Sequence, residues 1–299
     1  MKTVILLSMA LLFSAGFAAA DFQSIVDQAD KYDDQEKHED VKEFLISSIK
    51  STTGNAQKAE LYWRLARAYL NIGDDAEDDG ADEKALLEIF QAGEEAASKA
   101  IDLDPDNHLA YYWKSGNIGR WGQTKGILNS LFKAKPMRKL LTRAIEINPE
   151  HADSYYVLGQ LYEQVPGFPL SFGNVDASVS LGRKAVVLHN QQVASGEEDE
   201  LRYDFFTELA KHLYERDWKS TKRSKEQAKK SSKYGSEKDI LEKNFYYEGT
   251  IDLKKVSDRE EAVLLLRWVI KELEAISKPK QQHVQDLKEA KDLYREWGY

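Results

Sequence analysis

The sequence predicts an all-α fold in which antiparallel helix pairs stack into a superhelix. Three observations carry this reading. The 299-residue chain has 17 Gly and only 6 Pro, and 42% of it is hydrophobic and 31% charged, the composition of a folded, helix-rich protein. Apolar residues recur at spacings of three and four through most of its length, with no alternating run long enough for a strand. A helix-sized segment also repeats itself, and internal repetition of paired helices produces a solenoid.

At the amino terminus, Lys2 precedes an apolar stretch from Val4 to Phe17 and then Ala18-Ala19-Ala20. This is the pattern of a secretory signal peptide, so residues 1–20 are expected to be removed and the mature chain to begin at Asp21. Without Lys2 the chain carries a net charge of −10, which disfavours nonspecific nucleic-acid binding. There is no Cys, hence no disulfide and no thiol for lipidation. The expected location is periplasmic or secreted, with no stable membrane insertion after cleavage.

Phe22–Ala29 and Val41–Ile49 read as an N-terminal helix pair joined by a charged turn, within residues 21–55. Residues 56–190 hold the repeats. Ala59–Tyr69, His108–Ile118 and Ala152–Tyr162 align so that Tyr62, Tyr111 and Tyr155 share one position, Ala66, Ser115 and Gly159 a second, and Tyr69, Ile118 and Tyr162 a third. Each is followed by a second helix ending near Ala100–Pro105, Ala144–Pro149 and Ala185–Asn190, where proline cannot continue the turn. Small residues belong where two helix axes cross most closely. Gly116, Gly119, Gly122 and Gly126 either permit such a crossing or break the helix. Residues 191–299 form divergent pairs and a cap: Glu198–Trp218, Lys219–Lys233, Glu260–Ile276 and Gln281–Trp297.

These residues resemble the tetratricopeptide repeat family, whose units are helix pairs with a large aromatic, Leu-Gly or Leu-Ala, Tyr and a late Ala before Pro. The resemblance implies a right-handed superhelix. The distances Pro105 to Pro149 and Tyr62 to Tyr111 exceed the usual repeat, which places insertions at Asp74–Glu83 and around Arg120–Lys135. A narrower resemblance over about residues 107–190, carried by Tyr111–Gly122, Lys125–Leu128, Ala144–Pro149 and Tyr156–Gly159, looks like bacterial exported repeat proteins related to the T component of TRAP transporters. More distantly it looks like eukaryotic regulator of microtubule dynamics proteins. It implies a partner-binding scaffold, or alternatively a transporter-associated component binding a small apolar ligand or a solute-binding protein.

The residues speak against catalysis. The six His include no i, i+3 or i, i+4 pair, Gly-x-Ser-x-Gly and phosphate-loop patterns are missing, and no catalytic residue, metal ligand or cofactor site is expected. The acidic tract Asp74–Glu83 lacks the spacing of a calcium loop. The basic tract Lys219–Lys233 is either a solvated helix face or a contact for an anionic surface. The candidate site is a concave groove lined by Trp63, Tyr112 and Tyr156, one residue beyond each repeated Tyr, with Arg67 and Gln160 one turn further, suited to a protein or peptide partner in the cell envelope. The same aromatics could instead pack between adjacent helices. A second candidate is the loop Gln164–Asn174, whose Phe168, Leu170 and Phe172 either dock a partner or tuck back onto Trp121.

Overall fold

The computed structural model describes residues 21–299; the leader-like residues 1–20 lie outside the described residues. Among the described residues the chain is all-helical: residues 21–33 (α1), α2 His38–Ser51, α3 Asn55–Asp78, α4 Glu83–Leu103, α5 His108–Lys125, α6 Ile127–Ile147, α7 Ala152–Gln164, α8 Val175–Ser195, α9 Asp204–Arg216, α10 Ser220–Ser236, α11 Ile240–Asn244, a 3-10 turn Tyr247–Thr250, α12 Asp258–Glu274 and α13 Gln281–Glu296. Most helices pack on their chain neighbours, the contact pattern of an α-solenoid, while α9 packs on α12. Two compact units divide within α6, the first ending at Leu140 and the second running Leu141–Tyr299. No helix of the described residues is long and apolar enough to cross a membrane.

The expected insertions are not loops. Asp74–Asp78 prolong α3 and Glu83 opens α4, so the acidic tract is the end of one helix and the start of the next. Asp82 caps α4 by accepting the Ala85 N–H at 2.9 Å, and Arg120 of α5 reaches back to Asp74 at 2.5 Å and Glu77 at 2.6 Å. The segment Arg120–Lys135 is likewise helical except at Gly126, whose φ of 97° ends α5. Both readings of the glycine run therefore hold. Gly119 and Gly122 let α6 approach α5, their missing Cβ positions falling 2.8 Å from Met137 and 3.2 Å from the Ser130 backbone, while Gly126 breaks the helix.

In the first unit, α1, α2, α3 and α4 enclose one core in which Val41, Leu45, Leu61, Ala66, Ala68 and Ala97 are fully buried. A charged clip holds α1 against α3. Asp30 accepts from Arg64 at 3.0 Å and from Arg67 at 2.8 Å, and Asp33 pairs with Arg67 at 3.2 Å. Glu60 extends it, accepting from Arg64, from the Trp63 indole and from Asn107, the residue that caps α5.

Small residues occupy the positions assigned to close crossings. Ala66, Ala100, Ser115 and Ala144 are wholly buried and Ala185 nearly so. At Gly159 in α7 a Cβ would stand 2.9 Å from His212 Nε2 and 3.5 Å from the Ser178 carbonyl oxygen. The His212 ring is wholly buried and anchored through Nδ1 to Glu163, so it has no room to retreat. The repeated tyrosines show a second recurrence: the Tyr111 hydroxyl donates to the Pro105 carbonyl at 3.1 Å and the Tyr155 hydroxyl to the Pro149 carbonyl at 3.0 Å. Each bond ties the first turns of a helix to the proline that ended the previous one.

The second unit is centred on buried charge. Arg183 (α8), Arg216 (α9), Arg223 and Lys230 (α10) meet Asp176 (α8), Glu248 (the 3-10 turn), Asp258 and Glu261 (α12). Arg216 alone bridges Asp258 at 2.8 Å, Glu248 at 2.6 Å and Asp176 at 2.8 Å. Arg183 spans Glu248 and Glu261, both at 2.9 Å, Lys230 joins Asp176 at 2.5 Å to Glu248 at 2.8 Å, and Arg223 pairs with Asp258 at 3.0 Å and with Glu261. The basic tract Lys219–Lys233 is thus only partly a surface. Its Arg223 and Lys230, 2% and 5% exposed, turn inward because four carboxylates wait there. Burial opposes the charge of Glu248, but Arg216, Arg183 and Lys230 outweigh it and hold that carboxyl well below its ordinary range.

Two outcomes follow. Gly159→Leu overpacks the α7–α8–α9 crossing and costs about 1 to 3 kcal/mol or more of stability, read as a lowered Tm; an unchanged Tm means the crossing is not close. Glu248→Gln leaves three cations short of a partner and costs about 3 to 5 kcal/mol at neutral pH. A depressed carboxyl stabilises the fold above its unfolded value of 4.5 and loses that contribution as pH falls below it. Protection factors of amides in α10 and α12, corrected for the intrinsic pH dependence of exchange, should therefore fall below pH 4.5 in the native chain, and more shallowly in Glu248→Gln.

Candidate functional site

The repeat spacing identifies the buried stripe of α7 but is turned by one residue in α3. Tyr155 is fully buried, as the third repeat requires. In α3 the neighbouring residue takes that place: Trp63 is 5% exposed, covered by the Arg64 guanidinium 4.1 Å above its ring and packed with Ala59, Ala100 and Ala110. The rotation has a physical cause. Position −6 from Tyr62 is Ala56, inside α3, where Tyr111 and Tyr155 have a proline, and the α1 carboxylates draw the Trp63–Arg64–Arg67 side of α3 toward α1.

The predicted groove residues consequently have protein neighbours. Arg67 is held by Asp30 and Asp33. Half-buried Tyr112 meets Trp113 edge-on with centroids 5.0 Å apart. Tyr156 stacks on Phe205 of α9 at 4.6 Å beneath the Arg202 guanidinium, and burial pushes its phenol up. Gln160 is half-buried beside it in α7. Packing between helices, the other reading of these aromatics, is what Trp63 and Tyr156 display.

Rotating α3 brings Tyr62 and Tyr69 to an open cleft. This cleft, about 300 Å³ in volume, is walled by Ile46, Ile49 and Lys50 of α2 and by Ala92, Glu95, Ala96 and Lys99 of α4, with Tyr62, Leu65 and Tyr69 of α3 as its floor. Its exposed lining is about half apolar and half polar, the polar groups being the two phenols, two ammonium groups and one carboxylate. The Lys99 ammonium lies 5.6 Å over the Tyr62 ring. Such a trough offers stacking area and cation attraction to a chain segment with apolar and acidic side chains. Sequence reasoning set Tyr62 and Tyr69 at repeated positions, where they do pack in part on the core, and missed Lys50 and Lys99. The available signal was the i, i+3, i+7 spacing of Tyr62, Leu65 and Tyr69, which sets all three on one face.

The loop after α7 divides its three apolar residues. Phe168 and Leu170 are 92% and 81% exposed, whereas Phe172 turns in against Tyr162 with centroids 5.1 Å apart. Backbone bonds close the loop: Gly173 N–H donates to the Pro166 carbonyl at 2.9 Å and Asn174 N–H to the Tyr162 carbonyl at 2.7 Å. Asn174 then caps α8.

One cluster among the described residues has metal-ligand character, Glu163, Glu208 and His212. Glu208 and His212 are one turn apart on α9, a spacing legible in the sequence. Two of its groups are engaged, His212 Nδ1 with Glu163 and Glu208 with Lys211, which donates at 2.6 Å, while His212 Nε2 is buried without a hydrogen-bond partner. The arrangement acts as an internal brace between α7 and α9.

A family model described as regulator of microtubule dynamics protein 1-3 matches residues 25–167, a span that contains α2–α5 and the cleft. Regulator of microtubule dynamics protein 1 of Bos taurus is 27% identical over 158 residues, which cover 53% of this chain and 47% of that protein. The protein of the same name from Mus musculus is 28% identical over 142 residues, covering 48% and 44%, and regulator of microtubule dynamics protein 3 of Mus musculus is 26% identical over 146 residues, covering 48% and 30%. The chain thus spans less than half the length of these relatives. With its cleft inside the matched segment, the amino-terminal half of the chain is distantly similar to the regulator of microtubule dynamics proteins.

Proposed function

We propose that this protein is a non-enzymatic helical scaffold that holds a segment of a protein partner in the cleft between α2, α3 and α4. The observation that carries the reading is the cleft itself: a trough of mixed apolar and polar lining edged by Tyr62, Tyr69, Lys50 and Lys99, within the segment similar to proteins named as regulators. Its two phenols, two ammonium groups and one carboxylate offer stacking, cation and hydrogen-bond contacts to a bound segment. A peptide or amphipathic helix with apolar anchors and a carboxylate matches it. The tetratricopeptide resemblance, the bacterial transporter-component resemblance and export through the leader-like residues 1–20 belong to the same proposal. An exported chain would meet its partner in the cell envelope.

A second reading rests on Phe168 and Leu170, which present apolar area on a loop closed by its own backbone. It makes the loop the docking surface and leaves the cleft empty.

The two separate in one experiment. With a photoreactive phenylalanine at Tyr69, irradiation in a native extract should yield a discrete protein adduct, whereas the same group at Phe168 should not. Tyr62→Ala should weaken capture by about 2 kcal/mol, the cost of losing an interface anchor. Adducts from position 168 alone, or capture unaffected by Tyr62→Ala, reject the cleft.

A further inference from the structure

Between Asp106 and Glu146 the sequence contains no Asp or Glu, although the whole chain has a net charge of −9. Basic residues recur throughout that stretch, and several fall in α6. Here Leu128, Phe132, Lys135, Pro136 and Lys139 are all exposed. Their spacings of four, three, one and three put them on a single stripe of the helix about 100° wide. Leu128 and Phe132 are 71% and 80% exposed, while the opposite side of the helix is committed to the protein: Ala134 is 1% exposed and Met137 fills the space left by Gly119. Gly126 begins the helix at a sharp joint, which sets the apolar pair in its first two turns. Lys133 is drawn onto the Trp121 ring at 4.5 Å and Lys125 to Glu83 at 2.7 Å, leaving Lys135 and Lys139 as the cations on the exposed stripe.

We propose that this stripe of α6 docks the protein on an anionic lipid surface, with Leu128 and Phe132 entering the headgroup–acyl boundary and Lys135 and Lys139 meeting the headgroups. Leu128 and Phe132 stand 71% and 80% exposed on one helix face, which suits a plane rather than a walled cleft. Apolar residues and lysines sharing one face are what interfacial binding requires. With no carboxylate of its own before Glu146, α6 gives an otherwise acidic chain a helix whose exposed stripe an anionic surface attracts. Unlike a membrane-spanning helix, such a contact is reversible and weakened by salt.

Flotation of the full chain with vesicles tests this. Partition onto phosphatidylcholine vesicles containing about 30 mol% phosphatidylglycerol should exceed that onto pure phosphatidylcholine by roughly tenfold or more and should fall as salt rises. K135Q/K139Q should lower it by roughly 25-fold, from about fivefold for each lysine near the surface. L128D/F132D should remove it with Tm unchanged, because both side chains already face water. K225Q/K229Q, which alters exposed lysines of α10, should leave it unaltered. Equal partition onto neutral and anionic vesicles, no vesicle binding, or binding by folded L128D/F132D at the native level overturns the proposal.

Discussion

Close approach of paired helices is the constraint on which this structure depends. A helix pair encloses little volume, so it gains enough buried area only where the axes nearly touch. Ala66, Ala100, Ser115 and Ala144 provide that approach at zero exposure, and Gly159 provides it where His212 leaves no space for even a methyl group. Once the axes are set, the longer side chains have fixed places. Tyr111 and Tyr155 reach back to the prolines that close the preceding helices, and Tyr62 and Tyr69 are left facing the cleft.

Charge supplies what small apolar crossings cannot, namely specificity of neighbour. In the first unit, Asp30 and Asp33 select which side of α3 meets α1, and with it which residues line the cleft. In the second, four cations and four carboxylates join α8, α9, α10, the 3-10 turn and α12. Buried pairs of this kind contribute little net stability over an apolar core of the same shape, yet tolerate no missing member. They therefore fix the pairing of elements whose helical repeats have faded. The polar α10, which has Arg223 and Lys230 as its buried residues, is positioned by charge more than by apolar area.

Much of this was legible in the residues. Paired helices, their small crossing positions and the terminal helices follow from three- and four-residue spacing, and the structure begins α13 at Gln281 as that spacing indicates. The candidate site was less legible because periodicity identifies a stripe without naming what covers it. The side of α3 that faces inward is decided by carboxylates more than thirty residues upstream, and Tyr156 is covered by Phe205, 49 residues downstream. Lengthened repeats were equally ambiguous. The lengthened spacing placed insertions at Asp74–Glu83 and around Arg120–Lys135, but both segments are largely helical, and Arg120 pairs with Asp74 and Glu77. The distant similarity to regulator of microtubule dynamics proteins was visible in the motifs and is found again over residues 25–167.

The central claim is that the trough along α3 is the binding surface. It is tested most directly by hydrogen–deuterium exchange on the full chain with and without its captured partner. The account predicts added protection in Ile46–Lys50, Tyr62–Tyr69 and Ala92–Lys99 together, the three segments that line the cleft. Protection confined to the Phe168–Phe172 loop, or absent from all three segments, would contradict it.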